Sequence, residues 1–403
     1  MKRGIRFMKR FFVMFTLFCS VSSMGFSASF QEDLEIYTYL YDNAGTSTEK
    51  LDILQVLQAQ KLTGTGEFYA RAFNQLVNQA TTIPVAEQGA ANDLAQTLAA
   101  LIGDEKYATS APDLWRAYGA FPNAPLVKAE CLISLARVEA KEFLPQIVQV
   151  LRDLNVPLRG SEEAEAKGYV VRGAILALEK YRDISGYMPV FDISVSGYPK
   201  RILDLAKGAL PVILEDPSEL LTAQVIRGSG YGSSAKVIAL QVIEASNVPQ
   251  SSKAVAAAAA LEAGWGAQPT ATRERTEIVT LRKTSIGMIG RYGVSDPVVY
   301  PLLERSYKQG SDDNEKIGAI QTLAAVATDD SAQQLSSFLT ILVGRVRDKT
   351  NTEADERMIR AIIPAIGMTG KAQGKTALQD AINAPTTPAI KELAQQALNR
   401  LPK

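Results

Sequence analysis

The sequence contains no histidine in 403 residues. Histidine is the side chain whose charge changes nearest neutral pH, the usual partner of a catalytic serine or cysteine, and the commonest metal ligand. Its absence therefore closes several of the commonest catalytic routes together. We expect no catalytic residue, no metal site and no bound cofactor, and we predict that the protein is not an enzyme.

Cysteine and net charge are also scarce. The two cysteines are Cys19 and Cys131, and we expect Cys19 to be removed with a leader, so no intramolecular disulfide can form afterwards. The whole chain has 43 basic and 43 acidic residues, and loss of the five basic residues of the leader leaves 38 against 43. Because nucleic-acid binding depends on neutralising phosphates, this mildly acidic chain is predicted to have no nucleic-acid partner.

Residues 1–28 have the composition of a secretory signal peptide. Residues 1–10 carry five basic side chains and no acid, residues 11–26 form an almost unbroken apolar run, and small residues follow. This order of basic, apolar and small residues is typical of an exported protein. It predicts location in the periplasm or cell envelope, with no stable membrane span after cleavage.

The details of processing leave alternatives open. A cut after Ser27 or after Ser29 has a small residue at position −3 relative to the cleavage site, whereas a cut after Ala28 has Phe26 at that position. The segment could instead be a buried core helix or an uncleaved anchor, although about 16 apolar residues are fewer than the roughly 20 that span a bilayer. Lipidation at Cys19 is a further alternative, but a bulky residue precedes that cysteine.

The stretch 281–341 contains two successive helical hairpins. Its first apolar face has helical spacing and extends to Tyr292. Asp296 and Pro297, which follow, are typical of a helix start. A second apolar face then extends to Tyr307. The same order of apolar face, acidic turn and apolar face returns about 34 residues further along the chain. The pattern predicts a helix–turn–helix repeat.

The same alternation is found over most of the chain, without a convincing β pattern. An array of repeats suits a mature chain of this length, because each repeat packs only on its neighbours while a single core is limited in size. The helices predicted from apolar spacing are 30–41, 51–57, 68–77, 90–102, 112–118, 131–138, 143–151, 170–181, 202–214, 220–226, 237–243, 255–263, 281–292, 298–307, 317–326, 335–342, 358–366, 376–382 and 388–401.

Three stretches are similar to HEAT repeats of the armadillo-type α-solenoid class. The first, 124–147, begins Ala-Pro and continues with Val-Lys-Ala, Leu-Ala-Arg-Val and Leu-Pro-Gln-Ile. The second, 281–303, contains Gly-Arg-Tyr-Gly followed by Asp-Pro, and the third, 366–372, is similar to the same turn between helices. The resemblance extends over most of residues 45–401.

The resemblance implies an all-α fold. Specifically, it implies a right-handed α–α superhelix, a HEAT-like solenoid of about eight to ten helical hairpins, forming a single domain over residues 29–403 with an irregular insertion at about 184–201. It also implies a curved scaffold whose inner helices bind a protein or peptide, and it carries no catalytic residues.

The glycine-rich segment 228–234 imitates a phosphate-binding loop. A genuine dinucleotide loop follows a strand, whereas helices are predicted on both sides here. We therefore interpret the segment as a turn between helices.

Candidate partner-binding residues come from the insertion and from the predicted inner helices. Tyr187, Phe191 and Tyr198 lie in the insertion, where apolar and polar residues alternate between 191 and 195, so a short extended arm with exposed aromatic anchors is one interpretation. The other interpretation is that these rings pack as local core. The same two interpretations apply to Trp265. The cations assigned to the partner surface by their position in the repeat are Arg227, Arg282 and Arg291.

Two functions remain open from the sequence. The first is an exported non-enzymatic scaffold that binds a protein or peptide partner in the cell envelope through its curved helical surface. The alternative is an exported all-α enzyme or binding protein that acts on carbohydrate or peptidoglycan. A groove lined by Trp, Tyr and two carboxylates would favour the alternative, whereas aromatic residues make up only 7% of the chain. The oligomeric state is left open.

Overall fold

The computed structural model describes residues 30–60, 64–158, 160–294 and 296–402. Within these ranges the chain is all-helical, with 20 α-helices and no strand, which confirms the all-α prediction. The predicted signal peptide, residues 1–28, lies outside the described residues.

The helices divide into two compact units, one ending at Ile213 and the other beginning at Leu214. The α-helices of unit 1 are α1 Phe30–Asp42, α2 Ser47–Ala59, α3 Gly66–Gln79, α4 Gln88–Asp104, α5 Ala111–Ala120, α6 Pro125–Arg137, α7 Leu144–Leu154, α8 Ser161–Tyr181, α9 Tyr187–Ser194 and α10 Lys200–Ile213. Short 3₁₀ turns at Val85–Glu87, Ala108–Ser110, Lys141–Phe143 and Ile184–Gly186 precede four of them.

Unit 2 is built in the same way. Its α-helices are α11 Ser218–Leu221, α12 Ser233–Ala245, α13 Gln250–Gly266, α14 Thr272–Tyr292, α15 Val299–Gln309, α16 Asp313–Val326, α17 Asp329–Arg347, α18 Glu353–Thr369, α19 Lys375–Asn383 and α20 Pro388–Leu398. A π-helical turn, Thr222–Ile226, continues α11, and a 3₁₀ turn, Ala372–Gly374, precedes α19. The segment 228–232 is a turn between helices, as predicted.

Within each unit the principal contacts of a helix are with the next helix in the chain and with the one after it. In unit 1, α4 contacts α6 and α6 contacts α8; in unit 2, α14 contacts α16 and α16 contacts α18. Short turns bring consecutive amphipathic helices together, and each helix then needs a second neighbour to cover its remaining apolar surface. Every core is therefore shared between helices that are close in sequence.

Helices α6 and α8 approach each other closely at Gly173. A Cβ atom added to this residue of α8 would lie 2.6 Å from backbone atoms of Ala129 on α6. No side chain fits in that space, so glycine permits the two helices to pack backbone against backbone.

Helix starts follow the polar signals of the sequence. Thr46 and Glu49 begin α2 with reciprocal capping contacts: Thr46 Oγ1 accepts a hydrogen bond from the Glu49 amide at 3.2 Å, and Glu49 Oε2 accepts one from the Gly45 amide at 2.8 Å. Asp296 likewise accepts from the Val298 amide at 2.9 Å, immediately before α15.

The prediction of an extended arm at 191–195 is wrong, because residues 191–194 belong to helix α9 and Val195 caps its end. The side chain of Asp183 accepts a hydrogen bond from the Ser185 amide and begins a 3₁₀ turn that leads into α9. Tyr187 and Phe191 are four residues apart, which places them on one face of a helix and buries both. Alternation over five residues was too short to distinguish a strand from this helix.

A search for membrane-crossing helices in the described ranges found none with the required length and apolar character.

Candidate functional site

A groove of about 330 Å³ lies between α14 and α16 in unit 2. It is lined by Lys283, Ile286, Gly287, Gly290, Asn314, Glu315, Gly318, Gln321, Thr322 and Ala325. We call it the α14–α16 groove. Both helices lie within one compact unit and contact each other directly, so the groove is a local feature of their packing.

Glycines keep the groove open. A Cβ atom added at Gly287 would meet no atom within 4 Å, and one at Gly318 would reach only the Ile286 side chain, at 3.6 Å. At Gly290 the added atom would approach Thr322 Oγ1 to 3.1 Å. The three positions leave helix backbone uncovered along the groove, and Gly287 faces open space.

The floor is apolar or internally hydrogen-bonded, and the rim is polar. Thr322 Oγ1 donates to the Ile286 carbonyl at 2.9 Å across the two helices, which satisfies the hydroxyl without involving a ligand. Asn314 and Gln321 are exposed and place amide groups along α16. An amide can both donate and accept, so this rim suits the main chain of a bound polypeptide.

Lys283 and Asp312 form an ion pair beside the groove, with Lys283 Nζ 2.5 Å from Asp312 Oδ2. The other oxygen of Asp312 accepts a hydrogen bond from the Glu315 amide at 2.9 Å and so caps α16. The hydrogen bond from Lys283, followed by that from the Glu315 amide, lowers the pKa of the Asp312 carboxyl below its ordinary value of 3.8.

The acid that lines the groove, Glu315, is fully engaged by neighbouring groups. Its Oε1 accepts from Arg282 Nε at 2.6 Å, and its Oε2 accepts from Arg282 Nη2 at 3.0 Å and from the Ser311 amide at 2.8 Å. The side chains of Arg282 and Glu315 are 8% and 0% exposed. This carboxylate has no free oxygen to activate water or receive a proton from a substrate.

Trp265 is a second contact of Arg282. The guanidinium carbons of Arg282 and Arg305 are 4.1 and 4.4 Å from the centre of the Trp265 ring, and the indole Nε1 donates to Ser306 Oγ at 3.0 Å. We call these four residues with Glu315 the Trp265 cluster. Two cation–π contacts and one hydrogen bond fix the orientation of the half-buried indole.

The three aromatic residues predicted in the insertion are all in unit 1 and buried. Tyr187 and Phe191 are 0% exposed and Tyr198 is 4% exposed. Tyr198 also donates from its hydroxyl to the Leu154 carbonyl at 2.8 Å. The premise that they are exposed anchors is therefore wrong, and we leave them out of the proposed partner surface. Their rings pack as local core, which is the second interpretation offered by the sequence.

The predicted cations occupy different environments in unit 2. Arg282 is buried against Glu315, so the assumption that it is available on the surface is wrong. Arg291 is 58% exposed and binds Glu244 of α12 with an Nη2–Oε1 distance of 2.6 Å. Arg227 is exposed and ends the π-helical turn. Of the seven predicted residues, Trp265 and Arg282 are in direct contact with each other.

The second tryptophan is part of an aromatic group in unit 1. The Trp115 ring is parallel to Tyr118, with centroids 5.1 Å apart, and lies 6.0 Å from Phe143. Lys128 Nζ is 5.3 Å from the centre of the Tyr118 ring. The rings therefore contact one another and a cation.

The groove and Arg305 are features that sequence reasoning missed. Gly287 and Gly290 interrupt the apolar pattern of α14, and glycines inside a helix are a signal of close approach or of an open surface. That signal was available in the sequence. Nothing in the sequence singles out Arg305, because its contact with Trp265 joins residues 40 positions apart.

No family model matches this chain, and no curated protein matches it. The described residues also contain no group of three or more acidic or cysteine side chains placed to hold a metal ion. The geometry of unit 2 is therefore the basis for a functional proposal.

Proposed function

We propose that this protein is a non-enzymatic scaffold, exported to the cell envelope, which binds a protein or peptide partner through the helical surface of unit 2. The observation that carries the proposal is the α14–α16 groove, where glycines on both helices leave room for a partner's side chain. We also propose that the hairpins of each unit stack as a right-handed HEAT-like solenoid; the contacts of each helix with its next two neighbours support this arrangement.

The chemistry of the groove suits a polypeptide. Its apolar floor has room for one or two bulky side chains, and the amides of Asn314 and Gln321 stand where they can pair with the main chain of the same partner. Its two charged residues, Lys283 and Glu315, already have partners of opposite charge. Apolar anchoring with a hydrogen-bonding rim is the usual anatomy of a protein interface.

Three observations favour a scaffold over a carbohydrate-acting protein. The groove has no aromatic ring and only one carboxylate, which is ion-paired, whereas glycoside hydrolysis uses two. The ring of Trp115 is in contact with Tyr118 and Phe143. The indole of Trp265 is in contact with two guanidinium groups, so both tryptophan rings already have partners within the protein.

Blocking the groove tests this proposal directly. Gly287→Leu places a side chain in open space, and leucine favours a helix over glycine by about 0.8 kcal/mol, so we expect the variant to fold at least as stably as the wild type. Gly344→Leu is the matched control, because Gly344 of α17 also faces open space but lies outside the groove.

The measurement is cross-linking in the native envelope followed by mass spectrometry. A partner recovered with the wild type and with Gly344→Leu, but lost with Gly287→Leu, would establish the groove as the binding surface. Recovery of the same partners with all three proteins, or retention on cell-wall glycan alone, would contradict the proposal.

Export has its own test. Fractionation of cells that produce the full chain should place the mature protein in the periplasm or envelope, and its mass should correspond to a first residue near position 28 to 30. A protein of full-length mass in the cytoplasmic fraction would overturn this part of the proposal.

A further inference from the structure

We propose that Arg305, held over the ring of Trp265, is an anchor for an Asp or Glu side chain of a protein partner. This inference rests on the proposed function, because it names the chemistry of the partner. It concerns a different surface, since Arg305 does not line the α14–α16 groove.

The first observation is the unbalanced charge of Arg305. It is exposed on α15, and no ion pair among the described residues includes it. Its neighbour Glu304 is engaged by Lys308, with Nζ 2.5 Å from Oε1. Arg282, the other cation over the same indole, is neutralised by Glu315. The Trp265 cluster therefore presents one cation that has no internal counter-charge.

The second observation is that Arg305 is fixed in place. The indole holds its guanidinium carbon at 4.4 Å, and its Nε donates to Gln309 Oε1 at 3.1 Å. Both terminal Nη groups are left without a hydrogen-bond partner among the described residues. Two parallel N–H donors of this kind match the two oxygens of a carboxylate.

This combination distinguishes Arg305 from every other described arginine of unit 2. Those with a carboxylate partner are Arg273, Arg282, Arg291, Arg345, Arg347, Arg357 and Arg360. Those with neither a carboxylate nor a ring partner are Arg227, Arg275 and Arg400. Among the described arginines of unit 2, only Arg305 contacts an aromatic ring and has no carboxylate partner.

Preorganisation is what makes this cation an anchor. A free surface arginine loses side-chain entropy when it binds, whereas the indole and Gln309 already restrict Arg305. The indole is itself oriented by Ser306. Tryptophan and arginine are also the residue types most enriched where interfaces derive their binding energy.

A single carboxylate fits the site better than an anionic membrane. Membrane surfaces attract proteins through several cations that act together, whereas the nearby Lys308 and Arg282 are both paired with acids. One preoriented guanidinium beside two cations that are already paired matches one acidic side chain on a partner protein.

The test uses selection of peptides from a random library displayed on phage, with the immobilised full chain as bait. We expect the wild type to enrich peptides with an Asp or Glu at a recurring position, and Arg305→Gln to lose that enrichment. A selected acidic peptide should bind Arg305→Gln about 10- to 150-fold more weakly, because a charge-assisted hydrogen bond contributes roughly 1.5–3 kcal/mol. Arg275→Gln removes another exposed arginine, which has no ring contact, and its affinity should match the wild type.

The outcomes separate this inference from the proposed function. Peptides without an acidic position that bind Arg305→Gln normally but are lost on Gly287→Leu would overturn the inference and support the groove. No enrichment by the wild type would count against both. Binding to phosphatidylglycerol vesicles that depends on Arg305, with no acidic preference among peptides, would overturn the choice of a protein partner.

Discussion

Arg282 and Glu315 form a two-point ion pair across α14 and α16, with Nε–Oε1 and Nη2–Oε2 distances of 2.6 and 3.0 Å. Both side chains are almost completely buried; Glu315 lines the α14–α16 groove, and Arg282 contacts the Trp265 indole. The pair therefore fixes both candidate surfaces of unit 2 relative to each other.

Removing only the cation of this pair should destabilise unit 2 strongly. We expect Arg282→Met to lower the free energy of unfolding by about 3–5 kcal/mol, because Glu315 is left buried without a counter-charge. Replacing both partners, as Arg282→Met with Glu315→Leu, should recover much of that loss. The measurement is urea unfolding followed by Trp265 fluorescence in a Trp115→Phe background.

Arg291→Met is the control for the ion pair. Arg291 is 58% exposed in its pair with Glu244, and exposed pairs contribute at most about 1 kcal/mol. If the Arg282 and Arg291 variants unfolded at the same urea concentration, burial would not be what makes the first pair important.

Two buried tyrosines of unit 1 should respond in opposite ways to loss of the hydroxyl. The Tyr187 hydroxyl is buried without a hydrogen-bond partner, whereas the Tyr198 hydroxyl donates to the Leu154 carbonyl. We expect Tyr187→Phe to leave stability unchanged or raise it, because an unpaired buried hydroxyl is costly. Tyr198→Phe should cost about 1 kcal/mol and leave a carbonyl without its donor.

Thermal unfolding of the two phenylalanine variants provides the comparison. Phe191→Ala in the same unit should cost about 3–5 kcal/mol, because it leaves a cavity in place of a fully buried ring. A larger loss for Tyr187→Phe than for Tyr198→Phe would show that the Tyr187 hydroxyl is bonded in solution.

Asp312 should contribute to the acid sensitivity of unit 2. Its pKa is lowered in the folded state, chiefly by the hydrogen bond from Lys283. Its stabilising contribution is therefore present above the ordinary pKa of 3.8 and is lost as the pH falls through the folded-state pKa. Asp312→Asn keeps a capping oxygen but removes the charge, and should make stability fall less steeply between about pH 5 and pH 3.

The check on Asp312 is a series of unfolding curves for both proteins over that pH range. At neutral pH the asparagine variant should be only slightly less stable, by about 0.5 kcal/mol, because the pair is largely exposed. If the stability of the two proteins fell in parallel over this pH range, Asp312 would not contribute to acid sensitivity.

Cys131 should be inert in the folded protein. It is fully buried in α6, and burial raises the pKa of its thiol, so the reactive thiolate is suppressed. We expect iodoacetamide to label Cys131 only as the protein unfolds. A cysteine introduced as Ser337→Cys, at an exposed position of α17, should be labelled at once; equal rates, read by peptide mass spectrometry, would show that unit 1 opens around α6.

The helices could be predicted from the sequence because each has its own apolar period and many have their own polar start. Thr46 and Glu49 cap α2 through contacts with their immediate neighbours, so a local pattern was sufficient. Between 187 and 195 the same local reasoning failed, because a run of five residues fits both a strand and a helix.

The candidate sites could not be predicted because they depend on contacts between distant parts of the chain. Arg282 and Lys283 are adjacent and chemically similar, yet Arg282 is buried against Glu315 while Lys283 reaches Asp312 at the surface. Which one points inward is set by the rotation of α14 against α16. The sequence contains the glycines of the groove but does not reveal that Gly287 and Gly318 line one space.

The restriction of principal contacts to nearby helices has a kinetic consequence. Contact order is low in such a unit, so the chain entropy lost in closing each contact is small and folding should be fast for a protein of this length. Each hairpin can pack as soon as the next helix has emerged, without waiting for a distant segment. A chain delivered from its amino terminus could therefore build each unit progressively and expose only its most recent helix to aggregation.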